Sequence, residues 1–460
     1  MAQIVAPAGQ VPAIRTSYVV LVSFIASLGG FLFGYDINVM IGGLIFVLRH
    51  FQLTPMQQGF AVGSASIGCG TGAIIAGYIA DRLGRKKGLA ITAVVFAAGS
   101  IGTAIPLTIL QFDIFRIVGG IGVGLASVIA PMYIAEMSPT HIRGRLVTLD
   151  QLAILTGAVV SITVCYYLSG TGNWRMMFAT EAGPAFLLLA GLPLITESPR
   201  WLLEMNQTGR AREVLAKIYC DPGEIEREVR EISNSLQEET GTFRELLHPG
   251  IRRALGIAVA LAVLVQFTGI CPLDYYLPVI FRRAGFANAS DALLQVAFVT
   301  AWMWICTILA IFLVDRIGRR RLLIGGVTGI VIGMALLGLL FSRQIMGESV
   351  VIVTMFCLGC FVGSIAPMFW LLASELFPNR LRGKGMGIAS LSQWVAAYLV
   401  TQAIPSMLAY SEVRYSSIGP VFWLFGVICV GIIAFTYYQV PETMDRSLEE
   451  IGASWTHSQT

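Results

Sequence analysis

The sequence predicts an all-α integral membrane protein of twelve transmembrane helices in two pseudo-symmetric six-helix bundles. Three observations predict it. Of the 460 residues, 56% are hydrophobic and only 13% charged, too little polar surface to wrap a soluble core of that size. Apolar windows of about 20 residues, each long enough to cross a bilayer as a helix, recur along the whole chain. The charged motifs between them return in the same order in the second half.

The first six windows fall near 18–40, 58–80, 88–106, 111–135, 147–169 and 176–196, and six more near 254–280, 292–314, 322–341, 349–372, 385–405 and 417–439. Twelve crossings put both termini on one side. Arg49, Arg175, Arg282, Arg283, Arg343 and Arg414 lie in loops on the opposite side and Arg116 within a span, which leaves 24 of the 31 basic residues on the side of the termini. By the positive-inside rule that side is cytoplasmic. The expected location is therefore the cell (inner) membrane, with both termini inside. Residues 1–17 carry only Arg15 and no apolar stretch ending at a small-residue cleavage site, so they read as a tail and not as a signal peptide.

The expected organisation is a tail over 1–17, a first bundle over 18–196, a cytoplasmic linker over 197–250, a second bundle over 251–440 and a tail over 441–460. Within the linker, AREVLAKIY, EIEREVREISNSLQEE and TFRELL are helical in period and rich in opposite charges. Short cytoplasmic surface helices explain that pattern, and a partner site would share it. The bundles repeat: GYIADRLGRKK at 77 returns as IFLVDRIGRRR at 311, EMSPTHIRGR at 136 as ELFPNRLRGK at 375, and ESPR at 197, loosely, as PETMDR at 441. Such a duplication, with both copies in parallel order, is a known transporter plan.

Seven of the eight cysteines lie in apolar runs and Cys220 alone in a polar one. No disulfide framework is indicated, and Cys357 and Cys360, a CxxC inside a span without a second pair or a nearby His, read as packing residues. The four histidines fall in loops or tails, which argues against a histidine relay. No nucleophile, metal cluster, cofactor motif or nucleotide loop appears; GIGVGLAS is a packing face inside a span and lacks the strand-to-helix context of a dinucleotide loop. An enzyme and a nucleic-acid binder are thereby the least favoured classes.

Asp36 is the first functional candidate, because a carboxylate at mid-span costs roughly 2.5 to 3.5 kcal/mol on insertion scales and rarely stands without a partner or a watery path. Gly29, Gly30, Gly34, Gly42 and Gly43 flank it, small residues that let helices approach closely. Arg116 is a second intramembrane charge, which a snorkelling side chain would also explain. At the cytoplasmic mouths, Asp81 and Arg85 lead one motif copy and Asp315 and Arg319 the other. Glu136 with Arg143, and Glu375 with Arg382, keep one seven-residue spacing. Topology alone explains Lys86 and Lys87. It does not explain the acids, which are what a breakable cytoplasmic gate needs.

FGYD at 33, DRLGRKK at 81, RIVGGIGVGLASVIAPMYIAEMSP at 116, HIRGR at 141, ESPRWL at 197, YYLPVIF at 275, DRIGRRR at 315, ELFPNRLRG at 375 and PETMDRSLEEI at 441 form an ordered set. Over essentially its full length the chain resembles the sugar porters of the major facilitator superfamily. The resemblance implies a proton-coupled monomeric carrier of a sugar or sugar-like polyol, working by alternating access without a cofactor. It implies that Arg116 pairs with Asp36, and that Glu197 and Glu442 belong to the gate. An Arg keeps its proton at any usable pH and so holds a nearby Asp ionised, which makes the pair a proton-coupling candidate.

The resemblance also assigns sugar contacts to Gln151, Gln266, Tyr275, Trp370, Gln393 and Trp394, where amides offer donor and acceptor together and rings cover apolar sugar faces. This chain departs from the family pattern at Val265, Cys271, Met303 and Ala158, where polar contacts are usual. The departures favour a less hydroxylated, larger or differently shaped solute. Asp274 replaces an apolar residue; reach to external water accounts for it, and so does acceptance of a substrate hydroxyl or amine, or a role as a second proton site. Asp150 and Glu181, near span ends, are expected to reach water. An uncoupled facilitator is the nearest rival function, and a membrane sugar sensor is a rival of another class.

Overall fold

A computed structural model describes residues 14–237, 243–377 and 379–440. Ten helices among the described residues are long and apolar enough to cross a membrane. Spans 1 to 5 are Thr16–Phe51, Pro55–Leu83, Arg85–Ala104, Ile109–Met137 and Thr140–Ser169, and span 6 is stepped, Trp174–Ala179 followed by Ala182–Gly191. Spans 8, 9, 10 and 12 follow as Ala289–Ile317, Arg319–Ser342, Glu348–Glu375 in three pieces, and Gly419–Gln439.

The two remaining expected crossings depart from a plain apolar helix for physical reasons. Span 7 is broken into Pro249–Phe267, Ile270–Tyr275 and Leu277–Arg283. The break is at Gly269, whose φ of 78° lies in the left-handed region that disfavours a side chain, and whose added Cβ would strike the Phe425 ring. Span 11, Asn379–Tyr415, is one long helix that carries Gln393 and Gln402 where a lipid-facing helix would be apolar. Span 10 contains a π-turn over Phe361–Ile365, a feature found disproportionately at functional positions.

The repeat is visible in backbone conformation. Gly84, between spans 2 and 3, and Gly318, between spans 8 and 9, have φ of 91° and 92°. The glycine of each DRxGR copy is thus required by its turn, and the charged residues around it are delivered to equivalent places. On the face opposite to the basic loops, Thr54 and Thr108 open spans 2 and 4 with reciprocal capping boxes to Gln57 and Gln111.

Within the first half, glycines bring backbones together. A Cβ on Gly34 would collide with the Ile154 carbonyl and one on Gly157 with the Phe31 carbonyl, so spans 1 and 5 cross in direct backbone contact. The halves meet through spans 2 and 11, 5 and 8, and 1 and 7. The contacts run from the far face, away from the basic loops, to mid-membrane. The Gln402 amide donates to the Met56 carbonyl at 2.8 Å, Ser169 and Ser290 hydroxyls lie 2.7 Å apart, and the Phe33 and Trp394 rings are 6.3 Å apart. The assembly is closed at that far end.

The linker forms Pro199–Glu204, Thr208–Ile218, Pro222–Gln237 and a 3-10 turn at Phe243–Leu247, close to the expected helical stretches. It is held to the first bundle at its start, where Arg15 N–H donates to the Ile218 carbonyl at 2.8 Å and Ile14 bridges to Tyr219.

Candidate functional site

Asp36 and Arg116 form a bidentate pair, Nη1 to Oδ1 at 2.7 Å and Nη2 to Oδ2 at 3.2 Å, with the residues 1% and 2% exposed. The fork geometry matches guanidinium to carboxylate and fixes both side chains. The site is sterically tailored. A Cβ on Gly119, one turn along span 4, would stand 3.1 Å from Asp36 Oδ1. The Phe178 ring centroid lies 5.9 Å from the guanidinium carbon. Snorkelling of Arg116 is excluded by this burial.

Glu181 and Asp150 depart from the expectation that they reach water. Glu181 sits in the step between the two helices of span 6, 2% exposed, inside the field of Asp36 and Arg116, and its Oε1 has no hydrogen-bond partner. The adjacent Thr180 hydroxyl lies 2.8 Å from the Tyr35 hydroxyl, which ties that step to the turn bearing Asp36. Asp150 is 7% exposed and lies against Gly30, so close that a Cβ there would stand 2.5 Å from its Oδ1. Asp113, one turn before Arg116 and not distinguished by sequence reasoning, is also buried, and its Oδ1 is unpartnered. Each acid falls inside an apolar window, the same signal that marks Asp36, but near a window's edge, where distance along the chain understates depth.

The sugar-contact candidates come from spans 5, 7, 10 and 11. Gln266 is buried, Gln393 and Trp394 are half-buried, and Gln151 and Trp370 are exposed, the Trp370 ring 4.8 Å from that of Phe369. Gln393 Oε1 has no hydrogen-bond partner. Half-buried Tyr275 lies within the field of Arg116 and Asp36, which brings span 7 up to the charge pair. Of the departures from the family pattern, Val265 and Ala158 are buried, and Cys271, Met303 and Asp274 half-buried. Beside Met303, Trp304 crosses to the other half, its indole donating to the Thr156 hydroxyl at 3.4 Å.

The charges of the basic face pair differently from their seven-residue spacing. Glu136 is engaged by Arg85, with Nη2 to Oε1 at 3.0 Å and Nε to Oε2 at 2.9 Å, and accepts from the Ser198 hydroxyl. Asp81 lies 3.7 Å from Arg85. In the second half, Arg319 approaches Glu375 at 3.6 Å, the matching pair. Each pair lies within its own half. Arg143 is exposed, and Arg382 is half-buried with Nε and Nη2 lacking hydrogen-bond partners. Glu442 and the side chain of Asp315 lie outside the described residues.

Glu197 caps span 3, whose N-cap Gly84 offers no side chain. Its carboxylate accepts from the Arg85 N–H at 2.8 Å, the Lys86 N–H at 3.1 Å and the Ser198 N–H at 2.9 Å. The first two are orphan donors of the start of span 3. Burial pushes the Glu197 carboxyl up from its ordinary value, against these bonds and Arg85, which act downward. Beside this network a cavity of about 160 Å³ is lined by Glu136, Arg143, Arg200, Tyr219 and Glu228. It belongs to the junction of linker and bundle, remote from the Asp36 pair.

A helical membrane protein with a buried ion pair, a broken helix beside it and two repeated halves is built as a secondary transporter. The family model for "Sugar (and other) transporter" matches residues 22–455, and the chain belongs to that family. It is 38% identical to the D-xylose-proton symporter of Escherichia coli (strain K12), covering 96% of both chains. Its structure is similar to a partially occluded inward-open conformation of the E. coli xylose transporter XylE, with TM-score 0.83 at 35% identity over 94% of this chain and 100% of that one. It is likewise similar to the proton:xylose symporter of the major facilitator superfamily bound to 6-bromo-6-deoxy-D-glucose, with TM-score 0.79 at 37% identity over 96% and 100%. The fold is that of the major facilitators, and the protein is a transporter and not an enzyme.

Proposed function

We propose that the protein is a proton-coupled sugar or polyol importer that works by alternating access, carried chiefly by the desolvated Asp36–Arg116 pair. A facilitator without coupling has no use for a mid-membrane carboxylate held bidentately by an arginine. The basic face is cytoplasmic, in the inner membrane. Residues 18–196 and 251–440 are the moving units, and the protomer suffices for transport. Proton binding at Asp36 releases Arg116, and the loaded carrier then closes outside and opens inside.

Gln151, Gln266, Tyr275, Trp370, Gln393 and Trp394 hold the solute. Val265, Cys271, Met303 and Ala158 reduce the number of hydroxyls recognised, and Asp274 offers an acceptor to a hydroxyl or amine. At the cytoplasmic mouth, Arg85 with Asp81, Glu136 and Glu197, and Arg319 with Asp315, Glu375 and Glu442, brace the ends of each half. Closing that mouth brings Arg143 and Arg382 against the opposite half.

The test is thermal unfolding of the purified protein with a panel of pentoses, hexoses, cyclitols and amino sugars. A ligand at a hundred times its Kd stabilises by about 2.7 kcal/mol. The compound that raises the melting temperature is then offered to proteoliposomes, where it should accumulate only under an inward proton gradient. Accumulation that ignores the gradient would leave a facilitator.

A further inference from the structure

Arg116 faces a problem that the coupling cycle creates. When Asp36 takes a proton, a guanidinium 2% exposed loses its charged partner in a medium that cannot solvate it. It cannot shed its own proton, so the cycle needs a second carboxylate to receive it.

Asp113 is placed to be that carboxylate. It lies three residues before Arg116 on span 4, on the same helix face. Side chains on a helix lean toward its N-terminus, so the stem of Arg116 lies over the turn that carries Asp113. Asp113 is 6% exposed and its Oδ1 has no hydrogen-bond partner, an unsatisfied buried group of the kind that requires an explanation. Arg116 Nε, the donor nearest its own helix, is likewise unpartnered while Nη1 and Nη2 hold Asp36. Donor and acceptor are both idle, one helical turn apart. Phe112, fully buried between them and the far face, packs edge-on to Phe178 at 5.4 Å and to Trp174 at 6.0 Å, which closes the turn off from bulk solvent.

We infer that Asp113 is a positioning residue for proton coupling: it takes over Arg116 when Asp36 is protonated, so that the arginine moves between two carboxylates instead of being stranded. The proton comes from external water and ends on an Asp36 oxygen as the bond from Nη1 breaks. Arg116 keeps all its protons, and its guanidinium, once on Asp113, holds that group as a carboxylate. The groups facing Arg116 from other elements are Asp36 of span 1, Glu181 at the step of span 6 and Tyr275 of span 7, with Cys69 of span 2 facing the same cluster. Glu181 is the competing receiver, because its Oε1 is unpartnered too. Asp113 is favoured because it shares a helix with Arg116, so its distance does not change when the step in span 6 shifts.

This inference rests on the proposed coupling, and its first test does not. Melting temperatures are measured for Asp36→Asn, Asp113→Asn, the double variant and Asp36→Asn/Glu181→Gln. With Asp36 intact, Asp113→Asn should cost little. In the Asp36→Asn background, where Arg116 depends on Asp113, the same substitution should lower the melting temperature several-fold more, and Asp113→Glu should restore much of the loss. The second test is the external-pH profile of uptake by Asp113→Asn. Without a second carboxylate Arg116 stays on Asp36, and the midpoint should move acidward by about one pH unit, a displacement that a purely structural role would not produce. Additive losses in the cycle, non-additivity with Glu181→Gln in place of Asp113→Asn, or an unmoved midpoint would each overturn the assignment. Should Asp36→Asn fail to fold, the pH profile, measured with Asp36 present, decides. A wild-type protein indifferent to the gradient would instead sink the coupling reading, with the stability cycle still standing.

Discussion

Asp36 and Arg116 show what a single sequence makes legible at the scale of residues. A charge inside an apolar window is costly enough to be conspicuous, and the pair is found in direct bidentate contact. Glu181 and Asp150 are less legible, because distance along the chain understates their depth: a stepped helix at 181 and a glycine seat at 30 bury them. The pairing of Arg85 with Glu136, 51 residues away, was equally hidden, since seven-residue spacing describes the repeat and not the contact. The most direct consequence of the buried pair concerns Asp36→Asn, which mimics the protonated acid permanently while removing none of the proposed sugar contacts. Uphill accumulation should vanish, while binding and exchange of preloaded solute persist. Were the pair only structural, the stranded arginine should cost about 3–5 kcal/mol and all transport modes would fall together. Accumulation and exchange measured on the same proteoliposomes separate these outcomes.

Among elements, the expected windows located the spans because a bilayer imposes one length and one polarity on every crossing. Their interruptions were less legible. The break in span 7 depends on φ at Gly269 and on the ring of Phe425, 156 positions on, a contact that no local pattern encodes. The crossing of spans 1 and 5 gives a sign-reversing prediction. An alanine ordinarily stabilises a helix relative to glycine by roughly 0.5–1 kcal/mol. Gly77→Ala, with nothing within 4 Å of its new Cβ, should therefore hold or raise the melting temperature. Gly34→Ala drives its Cβ into the Ile154 carbonyl and should destabilise by about 1–3 kcal/mol, with loss of uptake, because the shifted helix carries Asp36. Equal melting temperatures for the two variants would show that this crossing yields easily and is not what fixes Asp36.

For the whole molecule, duplication carries the architecture, and Gly84 and Gly318 show the copies agreeing to within a degree in φ. What duplication cannot supply is which way the carrier faces, because both faces are built from the same elements. That is set by side chains meeting across the halves. At the far end Gly59 passes so close to the Gln402 backbone that a Cβ would overlap its carbonyl oxygen, and a Cβ on Gly63 would stand 3.1 Å from Cδ2 of the Tyr398 ring. These contacts require glycine only when the far side is shut. Gly59→Trp should consequently hold spans 2 and 11 apart and trap the carrier open at that face, since interfaces of this kind switch between packed states and do not deform continuously. Solute should still bind from that side, and both accumulation and exchange should stop. A distance probe across the ends of spans 2 and 11 reads the population directly. A Gly59→Trp protein that closes and transports at wild-type rate would mean that the halves do not need this contact to alternate.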